Sequence, residues 1–277
     1  MSVSGSASLN YSGLSTNSNV NPWTMGDSVT FSGGGDLDNG MTVGVSYELD
    51  GGNYDDYKLT LGLGDGMGTV TFSGNSVNAG GVDMVKDIVP TAYTAVYENT
   101  NAVDNGIAAG VGGRNTSSMW GYKNTVGDLT VSLGYNQEND TAATDAAESS
   151  IGLQYSMDGI TAVAGRFDDG DTAKHDTVGL KYTAGAITAA IQRTDINYDA
   201  TGTNDQEAMH MGVSFAVNEN LSVSAGRQKV EIDTAVDDEI NTGVSASYTM
   251  GSITIGGGFN EVTSAGGSSG SDAEAVS

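Results

Sequence analysis

From Ser2 to Val262 the chain repeats one unit about fifteen times: a short strand of alternating side chains, a turn, another strand. Met41-Thr42-Val43-Gly44-Val45-Ser46-Tyr47 is a clear copy, with apolar side chains at odd positions and small or polar ones at even positions. A period of two puts every second side chain on the same face of a sheet. No segment carries a helical period, so the chain must satisfy many strands that are greasy on one face and polar on the other. A closed barrel does this and leaves no free strand edge.

Composition bears on which face points inward. Leu, Ile, Val and Phe make up only about one residue in five, thin for a soluble β-sandwich of 277 residues. A large barrel needs no packed core, because its lumen holds water and its greasy wall meets lipid. The 41 glycines and only two prolines fit the same picture, since proline removes a ladder donor and belongs at edges and bulges. No run of 18 apolar residues is present, which excludes a transmembrane helix and leaves the β-barrel as the way to span a bilayer. The chain has no cysteine, hence no disulfide framework and no thiolate metal site. Thirty-five acids against ten bases give a formal charge of -25, and the scattered bases argue against a nucleic-acid partner. Met1 leads directly into a strand-like run, so the chain is either cytoplasmic or a mature form carrying an added initiator methionine, and the second is the expectation.

Connections alternate in size. Tight turns are expected near 36–40, 65–68, 124–128, 158–159, 184–185, 218–220 and 250–251. Longer polar stretches lie near 12–26, 50–54, 73–117, 136–148, 168–176, 194–207, 228–240 and from 263 onward. Short turns on one rim and long loops on the other are the pattern of outer-membrane barrels. Tyr11, Tyr47, Tyr57, Tyr135, Tyr155, Tyr182 and Tyr248 sit at strand ends, where a ring in hydrocarbon can hold its hydroxyl among headgroups. The tail 264–277 carries no strand pattern and reads as a loop, so an odd strand count implies that a closing strand is missing after 277, or a miscount within 73–117.

Two stretches carry a family resemblance. Gly35-Asp36-Leu37-Asp38-Asn39-Gly40-Met41 resembles a periplasmic turn of the general, non-specific porins of Gram-negative bacteria, of the alphaproteobacterial type. Leu63-Gly64-Asp65-Gly66-Met67-Gly68-Thr69-Val70 resembles the entry to their fifth strand. The chain lacks their terminal aromatic residue and the Pro-Glu-Phe-Gly-Gly motif of enterobacterial constriction loops. The resemblance implies an all-β fold: a single transmembrane antiparallel β-barrel over residues 1–277, of about 16 strands, with a constriction loop over about 74–116 folded into the lumen. It also implies a homotrimer in the outer membrane, in contact with its lipid and lipopolysaccharide.

The inward loop would bring Asp83, Asp87, Glu98 and Asp104 to the constriction, with a short helix over Val82–Pro90 that Pro90 ends. Strand parity puts bases on the opposite wall: Lys58 between Tyr57 and Leu59, Lys123 beside Tyr122, Lys181 between Leu180 and Tyr182, and Arg166 if Phe167 faces out. Such a lumen would pass small hydrophilic solutes and ions with mild cation preference, because a negative pore concentrates cations. His175 and His210 are the only histidines and belong to no catalytic motif, so no enzyme is expected, and His210 reads as a lumen-facing bystander. Asp168, Asp169 and Asp171 could bind Ca2+ through loop carboxylates, although the spacing is not that of an EF-hand. The rival reading is a secreted acidic β-rich adhesin or surface-layer protein, also cysteine-free and rich in Gly, Ser and Thr.

Overall fold

The computed structural model describes residues 1–15, 21–51, 53–74, 80–98, 119–137, 146–170, 172–199 and 202–277, with the backbone alone for 53–55. Each alternating segment becomes a strand. The first half comprises β1 (Ser2–Tyr11), β2 (Gly13–Leu14), β3 (Trp23–Asp36), β4 (Thr42–Asp50), β5 (Asn53–Gly62), β6 (Thr69–Gly74), β7 (Met119–Val126) and β8 (Leu129–Asn136). The second comprises β9 (Glu148–Met157), β10 (Ile160–Asp168), β11 (Ala173–Ala184), β12 (Ile187–Tyr198), β13 (Gln206–Ala216), β14 (Leu221–Ile232), β15 (Glu239–Met250), β16 (Ile253–Thr263) and β17 (Ala273–Val276).

From β3 to β17 each strand pairs antiparallel with the next, as short connections dictate. β1 pairs with β3 along its whole length, from Ser2 opposite Ser32 to Tyr11 opposite Trp23. β2 then meets β17 through Gly13 opposite Val276 and Leu14 opposite Ala275, which brings the ring round on itself. Only Ser12 separates β1 from β2, so the two act as one interrupted strand and the wall has sixteen. The tail is therefore not all loop: Ala273–Val276 forms a sixteenth strand beside Val262–Phe259 of β16, and the count comes out even. Ser277 and Gly258 exchange both backbone hydrogen bonds, each at 3.0 Å. Toward the short-turn rim, Ile253–Gly257 of β16 and Ser2–Tyr11 of β1 border a seam with no described strand between them.

The turns follow local chemistry. At Asp38-Asn39-Gly40, Gly40 adopts φ 81°, which an L side chain rarely tolerates, and Leu37 N–H donates to Met41 O at 2.8 Å. Two connections expected to be long are short, since β5 starts three residues after β4 ends and β11 starts five after β10. β3 also begins at Trp23, inside a stretch expected to be loop, because Trp23, Met25 and Asp27 continue its alternation.

Apolar side chains face outward. Leu9, Leu59, Val178, Leu180, Val244 and Ile255 are among the exposed large hydrophobic residues, as are six of the strand-end tyrosines, all but Tyr57. In water such a surface would be untenable; facing hydrocarbon it is satisfied. Aromatic rings stack along one arc of this wall, Tyr11 on Trp23 at 5.1 Å and Phe72 on Trp120 at 4.9 Å.

Candidate functional site

Residues 80–98 lie inside the barrel against its inner wall. Instead of a helix reaching Pro90, the segment holds one 3-10 turn, Gly81–Val85. Val82 and Val85 point at the wall, fully buried with Ile88, Val163 and Phe167. Burying such side chains is worth ~1.5–3 kcal/mol each. The segment then passes β11 and β13 to reach β16 and is pinned at each step. Gly81 N–H donates to Ser132 Oγ (2.7 Å), Ile88 N–H to Gln192 Oε1 (3.1 Å), Ala92 N–H to Ser224 Oγ (2.8 Å) and Tyr93 N–H to Ser245 Oγ (3.1 Å). Asn260 Nδ2 donates to the carbonyls of both Ala95 and Glu98, each at 2.8 Å.

Such close docking needs wall positions without a Cβ. A Cβ on Gly165 would stand 2.7 Å from Val82 and 2.8 Å from Val85; on Gly179, 2.6 Å from Ile88; on Gly212, 2.7 Å from Val89. These glycines occupy inward positions in mid-strand, where glycine otherwise weakens a sheet. A sequence signal was thus available: inward-facing glycines in the middle of successive strands mark a track on which another backbone lies.

Lys58, Lys123 and Asp83 line one cavity of about 710 Å³ between the start of the segment and the wall of β5–β8. Lys123 stands opposite Thr69 and Ser132, both inward. Lys181 also faces in, opposite Thr161 and Ala190, toward the short-turn rim. Arg166 does not. It stands opposite Asp176 on the outer wall, Nη2 to Oδ2 2.7 Å, with 58 % of its side chain exposed. Its neighbour Phe167 turns inward instead, 3 % exposed beneath Val82 and Val85. The expectation rested on Phe167 facing lipid, and the apolar underside of the segment gives that ring a partner inside the barrel.

On the segment, Lys86 Nζ lies 3.2 Å from Asp83 Oδ1 and 3.7 Å from Asp87 Oδ2. Burial raises the Asp87 carboxyl above its ordinary pKa, Lys86 pulls it back, and Asp83 adds to the upward push. Its side chain is nonetheless 44 % exposed, so water screens it and its contribution to stability is small. Glu98, to whose Oε2 Thr94 Oγ1 donates at 2.8 Å, adds a smaller upward push on Asp87. Asp104 and Asp171 fall outside the described residues, as do 75–79 and 99–116 of the expected loop.

His210 faces inward, as expected, but is buried rather than open to the lumen. It is 4 % exposed, its ring meets Tyr97 edge-on at 5.7 Å, and it stands between Gln192 and Gln228 in a row of inward amides that continues to Asn241. Asp169 is buried, with Oδ1 accepting the N–H groups of Thr172 (2.7 Å) and Ala173 (2.8 Å), and Asp168 Oδ1 accepts Gly170 N–H at 3.0 Å. These carboxylates close the β10–β11 turn. Among the described residues no three His, Asp or Glu side chains cluster as metal ligands.

Comparison with known proteins adds an independent finding. The profile of a family described as Gram-negative porin matches residues 1–277. The fold is similar to that of a porin refined at 1.8 Å, with TM-score 0.71 and 17 % identity over 99 % of this chain and 97 % of that one. It is similar to OmpT, an outer-membrane protein of Vibrio cholerae (TM-score 0.74, 11 % identity, 99 % and 94 % covered). It also resembles an anion-selective porin from Comamonas acidovorans (TM-score 0.69, 14 % identity, 99 % and 98 % covered). A search of curated proteins returns no match.

Proposed function

Because the chain belongs to the Gram-negative porin family and is an outer-membrane channel, we propose that it passes ions and small hydrophilic solutes by passive diffusion, with mild cation preference and no chemical step. The observation that carries this reading is the segment 80–98 docked across a polar inner wall, inside a barrel whose outer wall is apolar. In this reading the segment narrows the lumen and brings Asp83 and Asp87, which flank Lys86 at 3.2 and 3.7 Å, to the solute path. The formal charge of -25 favours cations, since fixed negative charge raises their local concentration.

The assembled form in this reading is a homotrimer, set in outer-membrane lipid and lipopolysaccharide. Ion pairs on the outer wall beyond the apolar band support the lipid contact: Arg166–Asp176, Lys174–Asp199 (2.8 Å) and Lys229–Asp238 (2.8 Å) present charges that headgroup phosphates and their counter-ions can share.

Single-channel recording in a planar bilayer tests the reading. Conductance steps in groups of three, with reversal potentials favouring cations, are the expected result. A chain that stays monomeric and soluble without detergent, and never inserts, would return the adhesin reading to the front.

A further inference from the structure

Among the described residues, the three wall lysines that face the lumen differ from most cations of the outer wall. Arg166, Lys174, Arg193 and Lys229 each hold a carboxylate within 2.9 Å. Among the described residues Lys58, Lys123 and Lys181 form no ion pair, and two of them, Lys58 and Lys123, share the 710 Å³ cavity beneath the segment. That cavity also holds Asp83, already engaged by Lys86 at 3.2 Å, and Asp65, exposed in the rim turn. Between the two lysines the lining is hydroxyl: Thr60 stands opposite Thr71, and both line the cavity.

The register sets the spacing. Lys58 faces Ser73 of β6 and Lys123 faces Thr69 of the same strand, four positions along it. At ~3.3 Å per residue and ~4.8 Å per strand the two Cα atoms lie ~16 Å apart. Four-carbon stems reaching across Thr71 close most of that distance, but one carboxylate held between them would draw two like charges together and neutralise only one of them. Two carboxylates a few bonds apart fit better, each meeting one ammonium while the Thr71 hydroxyl donates to an inner oxygen; the Thr60 hydroxyl already donates to Gly44 O at 3.4 Å.

We propose that this cavity is a weak binding site for short dicarboxylates, so that a channel negative overall carries an anion foothold on one wall. The inference rests on the diffusion-pore reading for its physiological meaning, but the site itself does not. Binding is therefore measured first without any membrane, by calorimetric titration of disodium succinate into the detergent-solubilised full chain at constant ionic strength, with sodium acetate as the single-carboxylate control. Succinate binding with a millimolar Kd, at least about tenfold tighter than acetate, is expected. Lys58→Gln and Lys123→Gln should each weaken it about threefold to tenfold, and Thr71→Val by a smaller factor. Equal affinity for succinate and acetate, or unchanged succinate binding in the double lysine variant, overturns the proposal. The same succinate concentrations are then applied to open channels, where a current reduction lost in the double variant supports it. Binding in detergent from a chain that forms no channel would leave the site standing and remove the pore.

Discussion

Gln192 is the wall residue on which the docked segment depends most, and replacing it with leucine puts that to the test. Its side chain is 1 % exposed and makes three contacts: Oε1 accepts Ile88 N–H at 3.1 Å, and Nε2 donates to Val85 O and to Thr177 Oγ1, each at 2.8 Å. Leucine matches the volume closely but leaves the Ile88 N–H and the Val85 carbonyl buried without partners. Each such orphan costs ~1–3 kcal/mol, and the added apolar burial returns part of it. A net loss of ~2–4 kcal/mol raises the undocked population of the segment by about thirtyfold to a thousandfold, at tenfold per ~1.4 kcal/mol. Hydrogen exchange in detergent reads this directly. Peptides covering 82–90 should lose protection by at least about thirtyfold, while those of β12 keep theirs because its ladder to β11 and β13 is intact. Single channels of the variant should flicker to a larger conductance as the segment leaves the lumen. Exchange at 82–90 within about twofold of the parent would refute the claim that these bonds hold the segment.

Gly179→Val places a branched side chain where a single Cβ would already lie 2.6 Å from Ile88, and should undock the same stretch at a cost of ~1–3 kcal/mol, seen as faster exchange at 86–90 with unchanged β11 protection. Arg166→Glu should leave conductance and reversal potential unchanged, since the group stands on the outer wall; a shift in selectivity would mean it reaches the lumen. Lys58→Glu, by contrast, should raise cation preference measurably. Asp87 has a raised pKa, so the folded channel binds its proton more tightly than the unfolded chain does. Its contribution favours the folded state below the ordinary carboxylate pKa and is lost as pH rises through the raised value. Across that window cation preference should fall as the solution is acidified, and Asp87→Asn should flatten the part of the profile lying above the ordinary carboxylate pKa.

Much of the barrel was legible along the chain because strand parity is local. Tyr57, Leu59 and Leu61 announce their face without reference to any other strand, and Lys58 follows from them. Turns were legible for the same reason, since Asn39-Gly40 carries its own backbone requirement. Where the alternation is ambiguous, the local signal runs out. β10 offers Ala162, Ala164 and Arg166 on one face and Val163, Gly165 and Phe167 on the other, and either could have faced lipid. What turned Phe167 inward was Val82 and Val85, some eighty residues earlier in the chain, which form an apolar patch inside the barrel that no strand pattern foretells. Strand identity in the tail was hidden likewise, because Ala273–Val276 is a strand only through its pairing with β16 and β2. The sequence by itself thus determined a lipid-facing barrel and the parity of most of its wall, since a period of two needs only near neighbours. Where the inward segment lies, which amides hold it, and which lysines it leaves unpaired were decided by contacts between residues far apart in the chain.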